Sequence, residues 1–183
     1  MNPTASPTPR TACRLAAPPA EPHGVLIVGY GNPLCGDDGW GPAVAQRLAP
    51  YTDGEALRVI IAHQLTVELA PEIAAARLVI FIDVAVNLDP GQLDFARLIA
   101  RRPTATLLTH HLAAASLLHL CRELYGRAPR AVVCSAGGRS FDIGAAMTPA
   151  ARVAGDRAER RLAPMLARLA RRMNPRHQGA GHA

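Results

Sequence analysis

Short apolar runs alternate with stretches of three-to-four-residue periodicity along most of the chain. Val25–Gly29 (VLIVG) is continuous and apolar, the pattern of a strand covered on both faces. Val59–Ala62 and Ala131–Ser135 share that character. Leu78–Val84 (LVIFIDV) is the strongest strand, rich in β-branched and aromatic residues. Gln92–Ile99 reads as a further strand after the turn-forming Asp89-Pro90-Gly91. Helices are expected between the strands. The first runs from Gly39 to Leu48 with Pro42 in its opening turn, and the second from a Thr66 cap to about Ala76, irregular at Pro71. The third covers His111–Tyr125, with Leu112, Ser116, Leu120 and Leu124 four apart and Gly126 as its stop. The last is capped by Thr148-Pro149 and reaches about Met173, with Leu162, Met165, Leu166 and Leu169 as its apolar stripe.

This alternation implies a doubly wound, three-layer α/β/α sandwich around a mostly parallel, mixed and twisted sheet of about five strands. Residues 24–173 would form a single domain. Residues 1–23, rich in Pro, Ala and Thr, are expected to be a disordered lead, and residues 174–183 a frayed tail. Ligands of such sheets bind beyond the carboxyl ends of the strands, which decides which polar residues to weigh.

Composition narrows the function classes. With 49% hydrophobic residues and 19% charged, the chain is globular rather than disordered. No apolar run approaches the roughly 20 residues that span a bilayer. The net charge of +6 suggests nucleic acid at first sight, but its distribution does not. All 20 basic residues are arginine, and through Ala150 there are 12 of them against 12 carboxylates. The excess lies wholly beyond Ala151, where it reads as the solvated face of a helix. Aromatics, at 4%, are too few for an array of base-stacking rings. Neither nucleic acid nor membrane is therefore expected as a partner. Cys13, Cys35, Cys121 and Cys134 have no zinc or redox spacing, and no secretory signal is visible, so a reduced cytoplasmic setting is expected.

Three strand ends carry candidate chemistry. The first opens into Gly29-Tyr30-Gly31-Asn32-Pro33-Leu34-Cys35-Gly36-Asp37-Asp38-Gly39-Trp40-Gly41. Its glycines, Gly31, Gly36 and Gly39 among them, imply a tight loop whose backbone approaches something closely. It lacks a Walker Gly-Lys-Ser/Thr, and its paired carboxylates would repel a pyrophosphate. One of Asp37 and Asp38 is expected to cap the following helix, leaving the other to face a ligand. The second end is Asp83, which must be paired, hydrated or metal-bound at the close of so apolar a strand. The third is Thr109-His110-His111, where only one of the adjacent imidazoles is expected to face the site. Asp38, Asp83 and His110 together would form an oxygen-oxygen-nitrogen set suited to Zn²⁺ or Ni²⁺, with open positions for substrate or water. His63 is a weaker candidate, and His119, His177 and His182 look peripheral. Cys35 has no Cys-His-Asn ordering beside it, and no G-x-S-x-G elbow exists.

At these residues the chain resembles the hydrogenase maturation proteases, endopeptidases that trim the C-terminus of the nickel–iron hydrogenase large-subunit precursor. GYGNPLCGDDGWGPAVAQRL is similar to that family's opening motif, and QLTVELAPEIAAARLVIFIDVA to the segment ending in its second metal-binding Asp. THHLAAASLLHLCRELYG is similar to the segment with its His, and GGRSFDIGAAMTPAA to the stretch before its last helix. The likeness spans roughly Val25 to Leu169 in the family's order. It implies the phosphorylase/hydrolase-like sandwich of that family and an aspartyl-type endopeptidase activity. Asp38, Asp83 and His110 would be the metal-contacting residues, with His111 as the alternative histidine. The family places Glu or Asp at the first position, and Asp38 is the shorter of the two. Asp38 and Asp37 are the candidate catalytic carboxylates, and Gly31, Asn32, Gly36 and Gly39 the substrate loop. Nickel would arrive with the precursor, the implied partner, and zinc or cadmium could stand in for it. Cleavage would use either a metal-polarised water or a carboxylate general base. Two other readings compete: a non-catalytic nickel-checking chaperone of the same precursor, and a peptidyl-tRNA hydrolase, which shares the string GYGNP.

Overall fold

The computed structural model describes residues 23–52, 56–102 and 110–173. The expectations for most of the lead and for the tail fall outside these ranges. Five strands form one sheet in the order β2-β1-β3-β5-β4. They are β1 (His23–Tyr30), β2 (Leu57–Ala62), β3 (Ala76–Pro90), β4 (Leu93–Leu98) and β5 (Arg130–Gly137). All neighbours run parallel except β4, which lies antiparallel on β5 as an edge strand. Four α-helices flank the sheet: α1 (Trp40–Leu48), α2 (Ala70–Ala75), α3 (His110–Tyr125) and α4 (Pro149–Met173). The expected three-layer sandwich with a mixed five-stranded sheet is thus the architecture observed.

Alternation along the strands builds two cores. Val25 and Ile27 of β1, Ile80 and Ile82 of β3, and Cys134 and Ala136 of β5 meet α1 and α4 on one face. Leu26, Val28 and Tyr30, then Val79 and Phe81, then Ala131 and Val133 meet α2 and α3 on the other. Burial on both faces is why β1 and β3 read as unbroken apolar runs. The charge excess behaves as expected, since Arg152, Arg157, Arg160, Arg168 and Arg171 lie exposed on α4. Arg161, also exposed, places its guanidinium 4.4 Å from the Phe95 ring centre.

Several elements differ from the reading of the sequence. β3 continues past Val84 through a register shift between Ala85 and Pro90, and Gly91, at φ 77°, turns it into β4. Thr66 precedes a 3-10 turn, Val67–Leu69, without capping it, because its side chain hydrogen-bonds the Glu68 carboxylate instead. On α3 the buried positions are Ala114, Leu117, Leu118 and Cys121, while Leu124 is exposed. Small side chains let this helix approach closely enough for Cys121 Sγ to donate to the Ala70 carbonyl of α2 at 3.4 Å. On α4 Met165 turns outward, and the stripe is Ala151, Ala154, Ala158, Leu162 and Leu166.

The α1–α4 contact yields a stability prediction. Gly155 of α4 faces α1, and a Cβ there would lie 3.5 Å from Trp40 Nε1 and 3.6 Å from Val44 Cγ2, ordinary contact distances. Gly155→Ala therefore stabilises by about 1 kcal/mol, since glycine in a helix interior carries that entropic cost. Calorimetry should register a rise of about 2–4 °C in melting temperature.

Candidate functional site

The connection from β1 leads by way of α1 to β2 on one side, and the chain then returns through α2 to β3 on the other. β1 and β3 therefore flank the topological switch point, beyond whose strand ends sheets of this class bind their ligands. Two of the three proposed ligand residues each touch the segment Tyr30–Asn32 that ends β1, Asp38 through the Asn32 N–H and Asp83 through Tyr30.

Asp38 sits half-buried in a 3-10 turn, Gly36–Gly39, that leads directly into α1. Its Oδ2 accepts the Asn32 N–H at 2.7 Å, holding the carboxylate against this segment. Gly31 permits this approach: its φ is 135°, and a Cβ there would collide with the Asp38 carbonyl oxygen. Asn32 also shapes the turn, because its Oδ1 accepts the Leu34 N–H at 3.0 Å and its Nδ2 lies 3.2 Å from Cys35 Sγ. Gly36, at φ 55°, packs on the Ser140 carbonyl, and Gly39 on Pro33. The close approaches implied by these glycines are thus made to the protein's own main chain.

Asp83 is fully buried on β3, one residue beyond the pairing of Ile82 with Gly29. It therefore stands beside Tyr30, on the sheet face that also bears Phe81. The Val84 N–H donates to its Oδ1 at 2.8 Å. The Tyr30 phenol also hydrogen-bonds Asp83. Burial first, then the adjacent Asp83 charge and this hydrogen bond, push the phenol far above its ordinary ionisation range, so it remains a donor.

The third proposed residue, His110, opens α3. β5 enters at Arg130 level with Leu78, and Asp83 stands five residues further up β3, about 17 Å. α3, 16 residues long and about 24 Å, ends shortly before Arg130. α3 begins at His110 and packs through Ala114, Leu117, Leu118 and Cys121 in the core on the sheet face that bears Phe81 and Asp83. The side chains of His110 and His111 lie outside the described residues. Among the described residues no group of three metal-binding side chains is assembled.

Asp37 has a different role from its neighbour. It does not cap its own turn. It reaches across to the loop between β5 and α4, where Oδ2 accepts the Arg139 N–H at 2.8 Å and the Ser140 N–H at 3.2 Å. Oδ1 accepts the Thr148 N–H at 2.7 Å, and the Thr148 hydroxyl donates to Oδ2 at 3.1 Å. That hydroxyl in turn accepts the Ala151 N–H, capping α4 as expected. The Asp37 N–H completes the clamp by donating to the Ser140 carbonyl at 2.7 Å. Burial alone would raise the Asp37 carboxyl, but the bonds from Arg139, Thr148 and Ser140 outweigh it and hold it below its ordinary value. With four protein donors on a fully buried side chain, Asp37 is an anchor, and Asp38 is the carboxylate beside Asn32. The sequence reading missed Tyr30 as a partner of Asp83. The signal was available: a tyrosine in an aliphatic strand needs a polar partner when buried.

No protein-family model and no curated protein matches the chain by sequence. Solved structures match it by fold. A [NiFe] hydrogenase maturation protease, HycI from Thermococcus kodakarensis KOD1, is similar with TM-score 0.62 and 24% identity over 81% of this chain and 92% of that one. The hydrogenase maturating endopeptidase HybD from E. coli has TM-score 0.65 and 19% identity over 79% and 93%. A hydrogenase 2 maturation peptidase from a Thaumarchaeota archaeon has TM-score 0.56 and 25% identity over 78% and 97%. The fold is therefore the one these maturation proteases share.

Proposed function

We propose that the chain is an endopeptidase that removes the C-terminal peptide from the precursor of a nickel–iron hydrogenase large subunit after nickel insertion. The observation that supports this reading is that Asp38 binds Asn32 and Asp83 binds Tyr30, two residues apart at the end of β1, in a fold shared with proteins named as such proteases.

Nickel belongs to the substrate in this reading. Asp38, Asp83 and His110, or His111 in its place, would complete the shell of an ion that the precursor already holds. Carboxylate and imidazole donors suit that task, because the softer thiolates of a client can keep the metal. The ion would supply Lewis acidity, and zinc or cadmium could substitute for it in binding experiments. Asp38 is the candidate general base for an attacking water, being half-buried beside Asn32, whose backbone N–H donates to its Oδ2. Asp37 would act only by keeping the loops in place. Among the described residues no helix is long and apolar enough to cross a membrane. A cytoplasmic setting suits the free thiols of Cys35, Cys121 and Cys134.

The test is incubation with the precursor in nickel-loaded and nickel-free forms, followed by mass spectrometry. Loss of a C-terminal peptide from the loaded form alone is the expected result. Tight binding without mass loss would identify a nickel-checking chaperone, and release of tRNA from peptidyl-tRNA would identify the hydrolase reading. Either outcome overturns the proposal.

A further inference from the structure

We propose that Tyr30 is a positioning residue, fixing the Asp83 carboxylate in the one orientation that meets a divalent ion carried by the substrate. The inference rests on the maturation-protease reading above. Tyr30 is the last residue of β1, only 2% exposed, and packed edge-on against Phe81 with ring centres 6.4 Å apart and planes at 81°. The ring lies in a core shared with Ala70, Ile73, Val79 and Leu118, so several neighbours together, rather than Phe81 alone, set the direction of its phenol. The phenol meets Asp83 from β1, while the Val84 N–H meets Oδ1 from β3 itself. Two donors on neighbouring strands thus hold one carboxylate.

A purely structural pair is the competing explanation. A phenylalanine at position 30 would fill nearly the same space and need no partner, and an apolar residue at position 83 would suit the strand better. The pair makes sense where the carboxylate is needed and its direction matters. Partners that orient a metal-binding residue change affinity or activity by about 10–100-fold when removed.

The experiment compares full-length wild type with Tyr30→Phe and Phe81→Leu. Each variant is first checked for cooperative melting. Affinity for nickel-loaded and nickel-free precursor is then measured, and the Tyr30→Phe crystal structure is determined. Tyr30→Phe should keep the ring packing and lower the preference for loaded over empty precursor by about tenfold or more. Its structure should show Asp83 in a different rotamer. Phe81→Leu removes the ring contact but keeps the phenol, so it should lose stability and retain the preference. An unchanged preference in Tyr30→Phe with Asp83 unmoved overturns the inference. So does an equal loss of preference in Phe81→Leu, which would assign the effect to packing. A wild-type protein with no preference for nickel-loaded precursor would instead sink the functional reading on which it rests.

Discussion

Asp83→Asn should leave the protein folded and abolish precursor processing. Asparagine has the same shape as aspartate and keeps one carbonyl oxygen to accept a hydrogen bond from Val84 or Tyr30, so the packing around β3 survives. The substitution removes a negative charge from β3 and, on the proposed reading, an anionic ligand for the precursor's ion. Loss of a direct ligand should exceed the roughly 10–100-fold attached to a supporting partner, which places processing below detection in a mass assay. Asp38→Asn should behave alike, because its remaining carbonyl oxygen can still accept the Asn32 N–H. Parallel melting curves would show that both variants fold. Processing by Asp83→Asn at the wild-type rate would remove that residue from the site. His110→Ala and His111→Ala complete the series, and the one that stops processing identifies the imidazole.

Asp37→Ala should produce the largest loss of stability. Its carboxylate binds three backbone N–H groups and the Thr148 hydroxyl, joining segments about a hundred positions apart. Truncation strands those donors in a buried place at a cost of about 3–5 kcal/mol, a large share of the roughly 5–15 kcal/mol that keeps a domain folded. The melting temperature should fall by about 10 °C or more. The effect also has a pH signature. The folded-state value lies below the ordinary 3.8, so the stabilisation is complete above that value and is lost as pH falls below it toward the folded one. The gap in melting temperature between wild type and Asp37→Asn should therefore close as pH drops through this range. A constant gap down to strong acid would show that the clamp contributes nothing as a charged group.

The strands and their parallel arrangement were legible because burial on both faces leaves a continuous apolar signature, as in VLIVG and LVIFIDV. The buried face of α3 was not, since leucines occur around much of the helix and the sheet selects Ala114 and Cys121 for their size. Met165 was misassigned to the core for a related reason: alanines, weak in any hydropathy pattern, line most of α4. At the site, the carboxylate pair announced its location but not its division of labour. What separates Asp37 from Asp38 is the set of donors arriving from Arg139, Ser140 and Thr148, a contact at long sequence range that no local pattern encodes. Tyr30 was hidden in the same way, since its partner lies on another strand.

The clamp around Asp37 has a consequence for how the proposed client would be received. It ties the turn before α1 to the loop before α4, and the Gly144 N–H adds a further tie to the Leu34 carbonyl at 2.7 Å. The two segments are thereby tied to each other by hydrogen bonds at several points. On the proposed reading, a peptide tail docking against these tied segments would bear most of the entropy lost on binding.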